Sequence, residues 1–224
     1  MSKKVTHQDP EESMENALNA TEQFIEKNKN ILIYSVIAVI AIAAAAFAYQ
    51  HLYRNPVKQE ALAQMFVAEQ YFRADSFAKA LKGDGNALGF NQIIEEYGSA
   101  APESIYLYAG ISDLHIGNFQ AAIDNLKKYK TKDEIMQARA YSNIGDAYAG
   151  LSDLKEALKY YQRAADHSDN IFAATYLMKA AIILEETGEF EEALDRYEEI
   201  KVKYPQSQEG SEVDKYIARI KVQQ

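Results

Sequence analysis

The sequence predicts an all-α protein in two parts: a single N-terminal transmembrane helix, then a right-handed solenoid of helix pairs closed by a C-terminal capping helix. Three observations predict it. An uncharged stretch has the length of a membrane span, a short motif returns at nearly constant spacing, and apolar residues recur at helical spacing through the remainder.

The stretch from Ile31 to Tyr49, ILIYSVIAVIAIAAAAFAY, carries no charge. As a helix it would be about 28 Å long, close to the roughly 30 Å of a bilayer's hydrocarbon core. Lys27 and Lys29 precede it, Arg54 and Lys58 follow it, and Tyr34, Tyr49 and Tyr53 stand where interfacial tyrosines gather. The alternatives are a buried core helix and a cleaved signal peptide ending at Ala44–Ala46. A long, net-acidic leader argues against the signal peptide, whose leader is short and basic. An uncleaved anchor over 31–53 in contact with lipid is therefore expected, after a short acidic cytosolic tail, 1–30. Lys3 and Lys4 tip the basic balance toward an inside N-terminus, which directs the C-terminal part out of the cytoplasm.

Next comes the repeat. Gly117-Asn118-Phe119-Gln120-Ala121-Ala122 returns as Ser152-Asp153-Leu154-Lys155-Glu156-Ala157 and again as Gly188-Glu189-Phe190-Glu191-Glu192-Ala193. The closing alanines are 35 and 36 residues apart, near the roughly 34-residue tetratricopeptide period. In that register the repeats span 103–136, 138–171 and 174–207. The second is the clearest, with Tyr141, Ile144-Gly145 and Tyr148 on its first helix and Ala157, Tyr161 and Ala164 on its second. Small residues let paired helices approach and large ones fill the space between them. Gly117 and Gly188 suit a left-handed turn after the first helix. Residues 54–102 read as a divergent helix pair with an insertion at Lys82–Asn86. Residues 208–224 read as an amphipathic cap using Val213, Tyr216, Ile217 and Ile220. A single repeat cannot bury its own apolar face, so the stack is the folding unit.

Composition narrows the function. Asp and Glu number 33 against 24 Lys and Arg, a net charge of -9, which disfavours nucleic-acid binding through clustered cations. Cysteine is absent, so disulfides, thiolate metal sites and thiol nucleophiles are excluded. The four histidines, His7, His51, His115 and His167, show no metal-ligand spacing. Asp113 and His115 fall on different sides of one helix. Gly83-Asp84-Gly85-Asn86 lacks the residues of a phosphate or calcium loop and reads as a turn. The Glu-Glu pairs at 95–96, 185–186, 191–192 and 198–199 are solvated faces. No convergent acid–base set appears, so no enzymatic activity, cofactor, metal or small-molecule substrate is expected.

Protein binding is the remaining expectation. In such an array the first helix of each repeat lines the concave face. The register puts Ser104, Leu107, Ile111 and Leu114 there in the first repeat, then Arg139, Ser142, Asp146 and Ala149, then Thr175, Met178, Ile182 and Glu185. Adding Asn143 and Lys179, the candidate groove is Leu107, Ile111, Leu114, Arg139, Ser142, Asn143, Asp146, Met178, Lys179 and Ile182. Asn143 and Lys179 match two positions of the clamp with which some tetratricopeptide proteins hold C-terminal carboxylates. Leu107 and Ile111 stand where that clamp needs Lys and Asn, so carboxylate capture is not expected. Leu, Ile and Met suit an amphipathic helix or an unfolded segment instead.

The acidic leader, the anchor and the repeats together resemble the bacterial ancillary subunit family of the Sec translocon. Some stretches are most similar to Bacteroidetes members: Tyr71-Phe72, Ala80 to Asn86, Gly89-Phe90, Lys203-Tyr204-Pro205 and Asp214 to Arg219. The resemblance implies an inner-membrane protein whose periplasmic repeats meet translocon components, envelope chaperones or unfolded clients. It supplies no catalytic residues. A structural scaffold of an envelope complex and a cytosol-facing receptor are the alternatives.

Overall fold

The computed structural model describes residues 10–167 and 169–223. Residues 1–9 of the acidic tail, including Lys3, Lys4 and His7, lie outside the described residues, as do Ser168 of the second repeat and Gln224 of the cap. The chain divides into two compact units, Met1–Pro56 and Val57–Gln224.

The first unit holds helix α1 (Pro10–Ala48) and a π-helical turn, Tyr49–Arg54. Helix therefore begins well before the uncharged stretch. Within that stretch Ile31, Tyr34, Val36, Ile37, Val39, Ile40, Ile42 and Phe47 are all exposed. One helix in the described residues, within Thr21–Arg73, is long and apolar enough to cross a membrane, and none of its most apolar window is buried.

The second unit is a stack of helix pairs. Helices α2 (Asn55–Arg73), α3 (Phe77–Lys82) and α4 (Phe90–Tyr97) open it. Three pairs follow: α5 (Ser104–His115) with α6 (Phe119–Lys128), α7 (Glu134–Gly150) with α8 (Leu154–His167), and α9 (Ala173–Glu186) with α10 (Phe190–Lys203). Helix α11 (Gln208–Gln223) closes the chain against α10 and α9. The fold is an all-α tetratricopeptide-type solenoid.

The turn inside each pair is built alike. The amide of Asn118 donates to the carbonyl of Asp113 at 2.8 Å, Asp153 to Tyr148 at 2.9 Å and Glu189 to Leu184 at 2.8 Å. Each bond ties the turn back to the last helical carbonyls, which otherwise lack partners. The residue before each donor is left-handed: Gly117 at φ 80°, Ser152 at 62° and Gly188 at 83°. The divergent pair has the same turn, which its sequence hid. Asp75 takes φ 53° and the Ser76 amide donates to Tyr71 at 2.8 Å. Asp75-Ser76-Phe77-Ala78-Lys79-Ala80 thus occupies the motif, with Asp for Gly. Ala80, Ala122, Ala157 and Ala193 are all fully buried. The insertion then splits the second helix into α3 and α4. It is folded on Asp84, whose Oδ1 accepts the amides of Ala87 at 2.8 Å and Asn86 at 2.9 Å, while Tyr71 Oη donates to Oδ2 at 2.8 Å. Led by the Ala87 amide, these bonds hold the Asp84 carboxyl at about 2.

Two buried clusters carry most of the packing. One gathers Met65, Ala68, Leu81, Phe90, Ile93 and Ile105 from α2 to α5, and the larger runs from Leu107 to Ile220. Close approach within pairs depends on missing side chains. A Cβ on Gly145 would lie 2.6 Å from Tyr161 Cε1, and one on Gly110 would lie 2.5 Å from Leu126 Cγ.

Candidate protein-binding cleft between the second and third repeats

The first helices of the repeats, α5, α7 and α9, carry the predicted groove residues to unequal fates. Leu107 and Ile111 are not open to a ligand. They are 4% and 8% exposed and belong to the core, because α7 packs along α5. Leu114 and Met178 are half-buried against the same core. Ile182 is exposed and lies in a separate, shallow hollow with Glu185, Glu186, Phe190 and Arg219. Arg139, Ser142, Asn143 and Lys179 come together, lining a cleft of about 270 Å³ between α7 and α9.

Five further residues complete that cleft: Ile135, Met136, Phe172, Thr175 and Tyr176. Ile135 and Phe172 are 44% and 51% exposed. Of these five, only Thr175 was placed on the concave face by the repeat register. Ile135 and Met136 precede the 138 boundary, yet α7 begins at Glu134 because Asp133 caps it, accepting the Met136 amide at 3.0 Å. Phe172 falls between repeats. The available signal was the pair Ile171-Phe172, two large apolar residues in an otherwise polar connection.

Asp146 organises the polar side. Its oxygens accept Lys179 Nζ at 2.7 and 2.8 Å, and its Oδ1 also accepts Tyr161 Oη at 2.8 Å. Lys179 Nζ lies 3.4 Å from Ser142 Oγ and 5.5 Å from the centre of the Tyr161 ring. The network joins α7, α8 and α9. Burial raises the Tyr161 phenol far above its ordinary value, and the adjacent Asp146 carboxylate raises it further. Burial also raises the Tyr176 phenol, with Arg139 opposing and Asp146 adding.

Two donors at the cleft stand apart from this network. Asn143 Nδ2 is buried without a hydrogen-bond partner, a condition that buried amides rarely tolerate. Arg139 is exposed and makes no hydrogen bond or ion pair with the described residues. Apolar walls, one spent cation and two unspent donors equip the cleft to seat an apolar side chain beside hydrogen-bond acceptors. Asp113 and His115 are separate, as their spacing predicts: Asp113 is buried between the amides of Asn118 and Asn125, while His115 stacks on Phe77.

Residues 136–200 match the tetratricopeptide repeat family, a segment that begins at the cleft and ends within α10. No curated protein matches the chain. Stacked repeats of this kind present extended binding surfaces, so the coarse function is protein–protein interaction as an adaptor.

Proposed function

We propose that this chain is a membrane-anchored adaptor of the bacterial cell envelope, held in the inner membrane through residues 31–53, with its repeats on the periplasmic side. In this reading it acts as an ancillary translocon subunit, linking the Sec machinery to periplasmic chaperones and clients. The observation that carries the anchor is the bare apolar surface of α1. Ten large apolar side chains from Ile31 to Phe47 are exposed together. Apolar surface on that scale is removed from water by a bilayer. The binding role rests on the α7–α9 cleft and the repeat match. The translocon rests on the resemblance of the whole layout.

Two reporters fused to the C-terminus test this reading in a Gram-negative host. Active alkaline phosphatase with a dark fluorescent protein is the expected result, followed by photo-crosslinking from the cleft to translocon components. A bright fluorescent fusion with inactive phosphatase refutes it and makes the protein a cytosol-facing receptor or scaffold.

A further inference from the structure

We infer that the α7–α9 cleft recognises an internal, extended segment of a partner protein in which a bulky apolar side chain stands beside an Asp or Glu. The inference rests on the protein-binding reading above and not on the orientation of the anchor.

The apolar half of the specification comes from the walls. Ile135, Met136, Phe172 and Tyr176 surround about 270 Å³, room for one Leu, Ile, Met or Phe side chain. Ile135 and Phe172 keep much of their surface in water, and a bound apolar group would cover it at about 25 cal/mol per Å². The acidic half comes from charge. Lys179 and Asp146 neutralise each other at 2.7 Å, and Glu209, which accepts from Thr175 Oγ1 at 2.6 Å, does not line the cleft. Arg139 is the cation left over, in a chain whose net charge is -9. Its guanidinium is suited to a bidentate bond with a carboxylate. Asn143 Nδ2, buried and unpartnered, would donate to a main-chain carbonyl of the same segment.

An internal carboxylate fits better than a chain terminus. Capture of a terminus by several donors would require Lys179, which Asp146 already holds through both oxygens. The free cation is exposed, whereas the free amide is buried. A charged side chain near the surface and a neutral backbone deeper in the cleft match that order.

The test pans the full-length chain, in detergent micelles, against short random peptides displayed with both ends joined to the carrier. Wild type and Arg139→Glu are panned in parallel, and circular dichroism melting checks that the variant folds. Wild type is expected to enrich segments with Asp or Glu next to Leu, Ile, Met or Phe, and the charge-reversed chain to lose them. An enriched peptide, synthesised with blocked ends, is then followed by fluorescence anisotropy. Replacing its acid by the amide is expected to weaken binding about tenfold, the effect of losing one charge-assisted pair of about 1.4 kcal/mol. Arg139→Gln should weaken it as much and Phe172→Ala several-fold. The inference is overturned by no enrichment, by enrichment without acidic residues, or by the same peptides on both chains. It is also overturned if affinity follows a free C-terminal carboxylate rather than the side chain. Because the assay is blind to topology, its failure is distinct from failure of the reporter fusions.

Discussion

Gly145→Ala tests whether helix packing and the cleft's charge network are mechanically joined. The added Cβ would lie 2.6 and 2.7 Å from Tyr161 Cε1 and Cδ1, closer than carbon atoms tolerate, so the ring must shift. It cannot shift freely, being 4% exposed in a cluster with Ala157, Ala180 and Ile183. Overpacking of this kind destabilises by about 1–3 kcal/mol, and the helical gain of Ala over Gly returns roughly 1 kcal/mol. A displaced ring also withdraws its hydroxyl from Asp146, 2.8 Å away, worth about 1 kcal/mol here because Lys179 still holds that carboxylate. The net expectation is about 2 kcal/mol, and about 1 kcal/mol for Tyr161→Phe alone. At roughly 2–4 °C per kcal/mol for a unit of this size, the melting temperature should fall by about 6 °C and about 3 °C respectively. The decisive measurement is the double variant, melted by circular dichroism as the full chain in detergent. If the glycine substitution already breaks the hydroxyl's bond, adding Tyr161→Phe changes almost nothing, leaving a coupling of about 1 kcal/mol. Strict additivity refutes the mechanical link, and a wild-type melt for Gly145→Ala refutes the clash.

Three further outcomes are expected. Ser152→Gly should raise the melting temperature by about 2–3 °C, because a serine held at φ 62° carries about 1 kcal/mol of strain that glycine lacks; an unchanged or lower value contradicts this. Alkaline pH should destabilise the repeats: the Tyr161 and Tyr197 phenols are raised, chiefly by burial and then by Asp146 and Glu185. Their contribution is whole below the unfolded value near pH 10 and is lost as pH climbs toward the folded value, by up to about 1.4 kcal/mol per unit for each. Denaturant midpoints between about pH 8 and 11 should fall for wild type and flatten in Tyr161→Phe/Tyr197→Phe; equal slopes in both would exclude these tyrosines. Glu185 accepts Arg219 Nη2 at 2.6 Å, Nε at 2.7 Å and Tyr197 Oη at 3.0 Å, latching α11 to α9. Glu185→Gln should speed amide exchange in α11 about fivefold, an effect of about 1 kcal/mol for a partly exposed pair. Exchange unchanged in α11, or equally faster in α7 and α8, would show that the latch does not act locally.

What the sequence made legible follows from which forces are local. Turn chemistry is local: a left-handed residue, a donor, then an alanine four positions after the donor recur because each helix end must satisfy its own carbonyls. The three regular repeats can therefore be read directly from Gly117, Ser152 and Gly188. The fourth turn was hidden because its left-handed residue is Asp75 and an insertion shifts its spacing, although the backbone bonds are the same. Burial on the concave face is not local. Leu107 and Ile111 hold the same register positions as Ser142 and Asp146, yet they are core because α7 packs over them. Ser142, 3% exposed, is as buried as Leu107, but it meets the α7–α9 cleft, and Ile182 on α9 stays exposed at the hollow beside Arg219. No period in one helix encodes how far the next helix leans over it. The walls of the cleft, Ile135 and Phe172, come from the last residues of the first repeat and from between the next two, where the repeat register assigns no concave-face role. A groove read from repeat positions alone therefore overstates the well-packed end of a solenoid and misses the residues that its connections contribute.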